Sequence, residues 1–571
     1  MAETLISPGV LARENDFSQV TQQPVTVGAA IVGPTVKGPV NIPTIVTSYS
    51  DFVSKFGSSF VSGGDTYTYL TSITAYNYFL AGGETMLVSR VTNGTYSAAT
   101  GSINSLGANF TGSSPVAPSF VLETLSKGTI MNSFSAEVSG TLFSGSTDNI
   151  RWEIASSNTG SGTFSLLIRR GDDNPNSKVI LETYNNLSLD PKQTNYVARV
   201  IGDQVANYNI TPNQVEISGS FPNASRYVRV KSVNLPTPDY FDNTGTAKTE
   251  FKPFMPIVSS GSVGGATGSI PPGARYYDRI SSANTQGLVA GDYTDMMNLL
   301  ANKDDYQYNV LVTPGLYRAD YAGVISQGIS NTLERGDAIY IADMVAFGAT
   351  TTAIATQAGG IDNSYAATYW PWVQISDPDL GKLVWVPAST VIPAVFAYND
   401  RVGAEWFAPA GINRGGLGTV VRAERKLAST DRDFLYTNNI NPIATFPNTG
   451  VVVYGQKTLQ KKASATDRVN VRRLLINLKR RISQISNTLV FEQNTTATRN
   501  NFLAQVNPYL QSVQQRQGLY SFTVKMDDTN NTADVIDRNQ LVGLIQIQPT
   551  KTAEFIVLDF NILPTGATFP A

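Results

Sequence analysis

Neither cysteine nor histidine occurs among the 571 residues of the chain. Without cysteine there is no disulfide framework, no thiol nucleophile and no thiolate metal site. Without histidine the usual general base near neutral pH is missing, and so is the commonest zinc ligand. Ser-His-Asp and Cys-His catalytic arrangements are therefore excluded. Charge is sparse too: charged residues make up 15%, against about 25% in an ordinary chain. A long chain with so little charge is expected to hide much of its surface in partners or to carry a large uncharged β surface. A net charge of −2 and a pI near 5.5 argue against a nucleic-acid coat, which needs a strongly basic domain.

Long apolar runs are also lacking. The best candidate, LVWVPASTVIPAVFAY (383–398), is too short for a membrane span and is broken by Pro387 and Pro393. The opening MAETLISPGV has neither the basic nor the apolar stretch of an export signal, so a soluble chain not exported by that route is expected. Gly-rich NRGGLGTV (413–420) and GGATGS (264–269) match neither the P-loop nor the dinucleotide fingerprint, and read as loops. Asp304-Asp305, Asp377/Asp379 and Asp527-Asp528 lack calcium-loop spacing and read as turn residues. No catalytic, cofactor-binding or metal-ligating residue is expected, and no enzymatic role.

The length implies two to four domains. Residues 1–23 show no amphipathic period, which fits a terminal tail or an arm held by another subunit. Residues 24–92 read as β-α-α-β. VTVGAAIVG (25–33) is a buried-type strand, and SDFVSKFG (50–57) is a short helix that Ser50 caps and Gly57 ends. YTYLTSITAYNYFLAGG (67–83) is a second helix and ETMLVSRV (84–91) a strand. From 93 to about 265 Ser, Thr, Gly and Asn dominate, with short alternating runs such as SFVLETL (119–125) and SAEVSGTLF (135–143). TFSLLIRR-GDDNPNS-KVILETY (163–184) reads as a hairpin. After 266, YNVLVTPG (308–315), YAGVISQGISNTLER (321–335) and DAIYIADM (337–344) form a β-α-β unit. Its natural partner is 24–92, so one domain is built from two separated segments. Helices dominate from about 423. The fold class expected is thus mixed α/β and multidomain (α+β), with discontinuous core domains and a β-rich insertion.

The densest charge lies in TDRVNVRRLLINLKRR (466–481), with six basic residues against one aspartate. Val471, Leu474, Leu475, Leu478, Ile482, Ile485 and Leu489 fall on one helical arc, a core-facing stripe. Arg468, Arg472, Arg473, Lys479 and Arg480 occupy much of the opposite side, as a solvated face or as a partner's seat. Val469 and Ile476 lie among them, and apolar residues inside a basic face point to a second partner. Membrane binding is disfavoured because the apolar stripe is committed to a core. Near the end, AEFIVLDFNI (553–562) is strongly β-forming. Such a strand closes its own sheet or adds to a neighbour's open edge. Two arms of this kind on one chain make non-closing, head-to-tail contacts, which generate helical tubes.

Several blocks resemble the contractile tail sheath proteins of myophages, of the T-even-like type. They are LISPGVLARE (5–14), IPAVFAYNDRVGAEWFAPAG (392–411), NPIATFPNTGVVVYGQKTL (441–459), RVNVRRLL (468–475), LVFEQN (489–494), FTVKMDDTNNTADVIDRNQL (522–541) and PTKTAEFIVLDF (549–560). The resemblance implies a structural virion subunit, assembled in the host cytoplasm. Its copies polymerise helically around an inner tail tube and contract to drive it through the host envelope. Implied partners are further copies, the tail tube protein, the baseplate and the tail terminator, with no nucleic acid, no membrane and no cofactor. The implied layout has an inner domain of 1–23 with 423–571, a middle domain of 24–92 plus 266–422, and a protruding 93–265. Arg468, Arg472, Arg473, Lys479 and Arg480 become candidates for contact with an acidic tube surface. Leu5, Ile6, Val10 and Leu11 at one end, and Phe555, Ile556, Val557, Leu558 and Phe560 at the other, become the inter-subunit arms. The competing assignments are a phage-tail-like bacteriocin or secretion or injection apparatus sheath, and, in a different class, a surface-layer or adhesin-type β protein.

Overall fold

A computed structural model describes residues 27–62, 65–107, 117–132, 147–270 and 280–555. Its centre is a six-stranded sheet made of β1 (Val27–Gly33), β2 (Thr44–Val46), β3 (Met86–Arg90), β4 (Tyr308–Tyr317), β5 (Ile339–Asp343) and β6 (Ala366–Ala367). The strand order is β6-β5-β4-β1-β3-β2. All neighbours are parallel except β2 and β3. Residues more than two hundred positions apart thus share one ladder, Ala29 opposite Val310 and Ala30 opposite Leu311. These strands read as unbroken apolar runs because helices cover both faces of the sheet. Ala29, Ile31, Val310 and Ile339 enter one core, while Ala30, Val32, Leu311 and Tyr340 enter the other.

The first face carries α1 (Tyr49–Phe56), α2 (Leu70–Leu80) and, from later in the chain, α4 (Ile392–Val402); α3 (Arg318–Arg335) covers the second. Phe52 and Phe56, one helical turn apart, are fully buried beneath α1, and each contributes about 2–3 kcal/mol by leaving water. Gly57 ends α1 at φ +73°, but the N-cap is Ser48, whose hydroxyl accepts from Asp51 N at 3.1 Å. The expected cap, Ser50, falls inside the helix. The second helix also starts later than its periodicity suggested, because residues 65–68 pair with 59–62 as a hairpin.

A separate core, including Phe120, Trp152, Phe164 and Ile168, lies within residues 99–266. It sits between a three-stranded and a four-stranded antiparallel sheet. The hairpin expected at 163–184 is present, with 163–170 paired to 180–188. The chain enters and leaves this region side by side. Thr100 and Gly264 exchange both backbone bonds at 2.8 and 2.9 Å, and Ser97 N donates to Thr267 O at 3.1 Å. At the junction Arg90, at the end of β3, is buried and donates through Nη1 to the carbonyls of Gly38 at 2.7 Å and Lys127 at 2.8 Å. Burial pulls its pKa down to about 10. The run SAEVSGTLF (135–143) lies outside the described residues.

Past 423 the chain is more mixed than a helix-dominated reading expects. The strands Asn441–Phe446 and Gly450–Val453 pair before the helices α5 (Val469–Asn487) and α6 (Thr496–Gln515). After α6 an antiparallel hairpin, two-stranded among the described residues, joins Leu519–Lys525 to Leu544–Pro549. A fourth core, including Trp406, Leu474, Leu478, Phe502, Val506 and Leu519, holds α5, α6 and the hairpin together.

Candidate functional site

The basic helix α5 is buried on two sides. Of its expected stripe, Leu474, Leu478, Ile485 and Leu489 enter the core shared with α6 with Ile482 packed against them, while Val471 and the half-buried Leu475 lie outside it. Val469 and Ile476, the apolar pair inside the basic face, are equally buried in the core beneath the central sheet. The second partner that this pair signals is therefore the chain's own α/β sheet. This corrects the expectation of an outward basic face. The five basic residues divide between interior and surface.

Arg473 is 3% exposed. It forms a two-pronged pair with Asp400 of α4 at 2.9 and 2.5 Å, and its guanidinium stacks 4.5 Å above the Phe396 ring. Arg472, also buried, lies 4.1 Å over Tyr365 and donates to Ser364 Oγ at 2.5 Å. Lys479, two turns on, reaches the Tyr365 hydroxyl at 3.1 Å while staying exposed. Arg480 donates to the carbonyls of Tyr308 and Asp337, both at 3.3 Å. Tyr308, Asp337 and Tyr365 stand at or just before the starts of β4, β5 and β6. The positive side of α5 is thus bound along the amino ends of the parallel strands. Arginine suits this because its delocalised, weakly hydrated cation tolerates burial against rings and carbonyls. Lys479 and the neighbouring Arg481 remain on the surface.

Arg468, half-buried at the start of α5, has a different task. Its Nε donates to Glu554 Oε1 at 2.8 Å. The Tyr436 hydroxyl donates to the other carboxylate oxygen at 2.6 Å, and Gln456 Nε2 adds a bond at 3.0 Å. Burial pushes the Glu554 carboxyl up, but the three donors, Arg468 foremost, outweigh it and hold the pKa below the usual glutamate value. This clamp fixes the chain one residue before Phe555, the first of the C-terminal arm candidates and an exposed one. The remaining arm candidates, Leu5, Ile6, Val10, Leu11, Ile556, Val557, Leu558 and Phe560, lie outside the described residues.

The clamp stands close in sequence to the end of the hairpin. Residues along 544–549 alternate between exposed and half-buried, as do those along 521–525. Phe522, Val524, Ile545 and Ile547 lean on the helical core. Neither strand pairs with a third among the described residues. Two strands alone are a marginal sheet, and unpaired edges are templates for further strands.

Other groups flagged by sequence are structural. Asp377 closes its own turn by accepting from the amides of Asp379 and Leu380 at 2.9 and 3.1 Å. Asp527 does the same for Thr529 at 2.9 Å. Among the described residues no acidic group is arranged to hold a metal ion, and no helix is long and apolar enough to cross a membrane. One group escaped sequence reasoning. Asp343, at the carboxyl end of β5, is buried and accepts from Ser389 N at 3.1 Å and Ser389 Oγ at 2.5 Å. Nothing local to either residue announces a pair 46 positions apart.

Comparison with known proteins places this geometry. The family model for the phage tail sheath protein central domain matches residues 287–459, and that for the phage tail sheath C-terminal domain matches 461–562. The tail sheath protein of Vibrio phage KVP40 is 43% identical over 185 residues, covering 32% of this chain. That of Enterobacteria phage T4 is 40% identical over 185 residues, also 32% of this chain. In each case the match spans 28% of the relative's own length. Among solved structures, a sheath tail protein from Listeria innocua shares the fold at a TM-score of 0.51 and 11% identity, covering 92% of this chain and 96% of that one. Residues 287–562 thus match the central and C-terminal domains of phage tail sheath proteins.

Proposed function

We propose that the chain is the structural, non-enzymatic subunit of a contractile tail sheath. Copies polymerise into a helix around an inner tail tube, as part of a virion, and a rearrangement between two packings drives the tube through the host envelope. The observation that carries this reading is the open hairpin beside a clamped chain end. The hairpin offers strand edges to arms from other copies. The Glu554 clamp lets a pull on the following segment act on the body of the subunit. Strand addition forms backbone hydrogen bonds and survives rotation of one rigid body against another, as a contracting polymer requires. The layout that fits has 93–265 protruding outward, 24–92 with 266–422 in the middle, and 423–571 with the N-terminal arm inside. The side-by-side entry and exit of the 99–266 region supports the protrusion.

Tube contact, in this reading, falls to the basic residues that the fold leaves exposed, Lys479 and Arg481, and not to the buried arginines. Each exposed pair contributes little, about 0–1 kcal/mol, so many together hold register and still release. Co-sedimentation with tail tubes tests this. Replacing both residues by glutamate is expected to weaken binding and flatten its salt dependence while leaving the thermal midpoint unchanged. Undiminished binding at low salt would remove this face from the tube contact. A tail-like bacteriocin or injection apparatus would use the same subunit chemistry.

A further inference from the structure

The turn between α5 and α6, TLVFEQN (488–494), is built against its own interests as an isolated surface. Phe491 is 101% exposed and Val490 is 59% exposed. Phe491 also takes φ +71°, a left-handed conformation that is an outlier for a bulky side chain. Strain that displays an aromatic to water is kept only where something else uses it.

Elsewhere on the chain a groove of about 610 Å³ opens between the end of α2, α4, the Gly-rich 412–420 loop and the 449–451 turn. Leu80 and Ile412 stand on it more than half exposed. Arg401 is its one charged lining residue among the described residues, its guanidinium 5.5 Å from the Tyr398 ring. At the groove lies Asn77, 2% exposed, whose carboxamide nitrogen and oxygen both lack a partner. A buried carboxamide with both N–H donors and its oxygen unpaired is costly.

We propose that the 488–494 turn of one copy seats in this groove on a second copy, an inference that rests on the helical-assembly reading above. Phe491 fills the apolar space among Leu80, Ala394 and Ile412, and Glu492, the turn's only charge, meets Arg401. Knob and groove are different surfaces, so the contact is head-to-tail and propagates without closing. The Gly-rich loop, which matches no phosphate-binding motif, thereby gains a use as a groove wall.

The cysteine-free sequence allows a clean test. Full-length F491C and I412C proteins are mixed under assembly conditions and oxidised, with V61C replacing F491C as an exposed control. Disulfide-linked dimers are expected from the F491C and I412C mixture well above the control. In parallel, R401E and E492R are each expected to raise the critical concentration for polymerisation by about tenfold, and the double variant to restore it, as for a desolvated charge pair. Thermal midpoints should stay unchanged. Tubes that form with no cross-link above control, and are indifferent to R401E, would overturn the contact and leave the sheath reading intact. Cross-linking only between F491C chains would overturn it equally. The absence of both polymer and cross-link, even with tail tube present, would overturn the contact and the sheath reading together.

Discussion

Replacing Asp400 by asparagine is expected to cost about 3–5 kcal/mol, more than any change to the exposed basic residues of α5. Arg473 is 3% exposed in its side chain while Asp400 is 29% exposed. Removing the carboxylate strands a cation that water cannot reach. Removing the arginine, as in R473M, leaves a carboxylate that water partly can, and methionine retains the contact with Phe396. D400N should therefore be the worse of the two, and R473M should cost nearer ~3 kcal/mol. K479A should stay within about 0.5 kcal/mol. Several cores make a single two-state transition unsafe to assume. The comparison is best made on the transition that carries α5, followed by Trp406 fluorescence and by proteolysis of the 488–495 turn. Equal losses for D400N and K479A would mean that α5 does not bind the sheet through this pair.

The second large effect is a pH dependence. Burial lifts the Asp343 carboxyl from 3.8 to about 7, although both Ser389 donors pull the other way. In the folded chain this group holds a proton that the unfolded chain has already released. The stabilisation is complete below about pH 4 and is lost as pH rises through about 7. A shift of roughly three units corresponds to about 4 kcal/mol over that interval. An asparagine in place of Asp343 cannot ionise, so D343N should flatten the stability profile between pH 4 and 7. It should also be the more stable protein at pH 8, where the wild-type carboxylate is charged and buried. Denaturation midpoints of both proteins across pH 4–8 decide it. Parallel profiles would show that Asp343 is not the group responsible.

What was legible in the sequence followed local rules. The parallel strands announced themselves as short apolar runs separated by helical periods, and β4 pairs in parallel with both β5 and β1 as those runs implied. The stripe Leu474, Leu478, Ile485, Leu489 came directly from the 3.6-residue repeat. Val469 and Ile476 were visible as misfits inside a basic face. Their misfit told that a second surface was there, but a helical wheel has no means of saying whose. Charge misled for the same reason. Arg473 reads as solvated until Asp400, some seventy residues upstream, is brought beneath it, and Arg480 reads as free until two strand starts supply carbonyls. Asp343 with Ser389 and the empty amide of Asn77 are likewise products of tertiary proximity. At the boundaries, Ser48 prevailed over Ser50 because the helix begins at Tyr49 and the Ser48 hydroxyl is the one that accepts from Asp51 N, and a 59–68 hairpin claimed residues that a helical period had included.

The central claim is that copies of this chain join through arms added to open strand edges, with the body of each subunit complete without them. Negative-stain electron microscopy of the full-length protein beside a version lacking residues 1–26 and 556–571 tests it most directly. That version keeps Glu554 and every described strand. Hollow striated tubes are expected from the full-length chain, and monomers with an unchanged thermal midpoint from the shortened one. Identical tubes from both would contradict the arm mechanism, and full-length chains that stay monomeric beside tail tube and baseplate would contradict the sheath assembly itself.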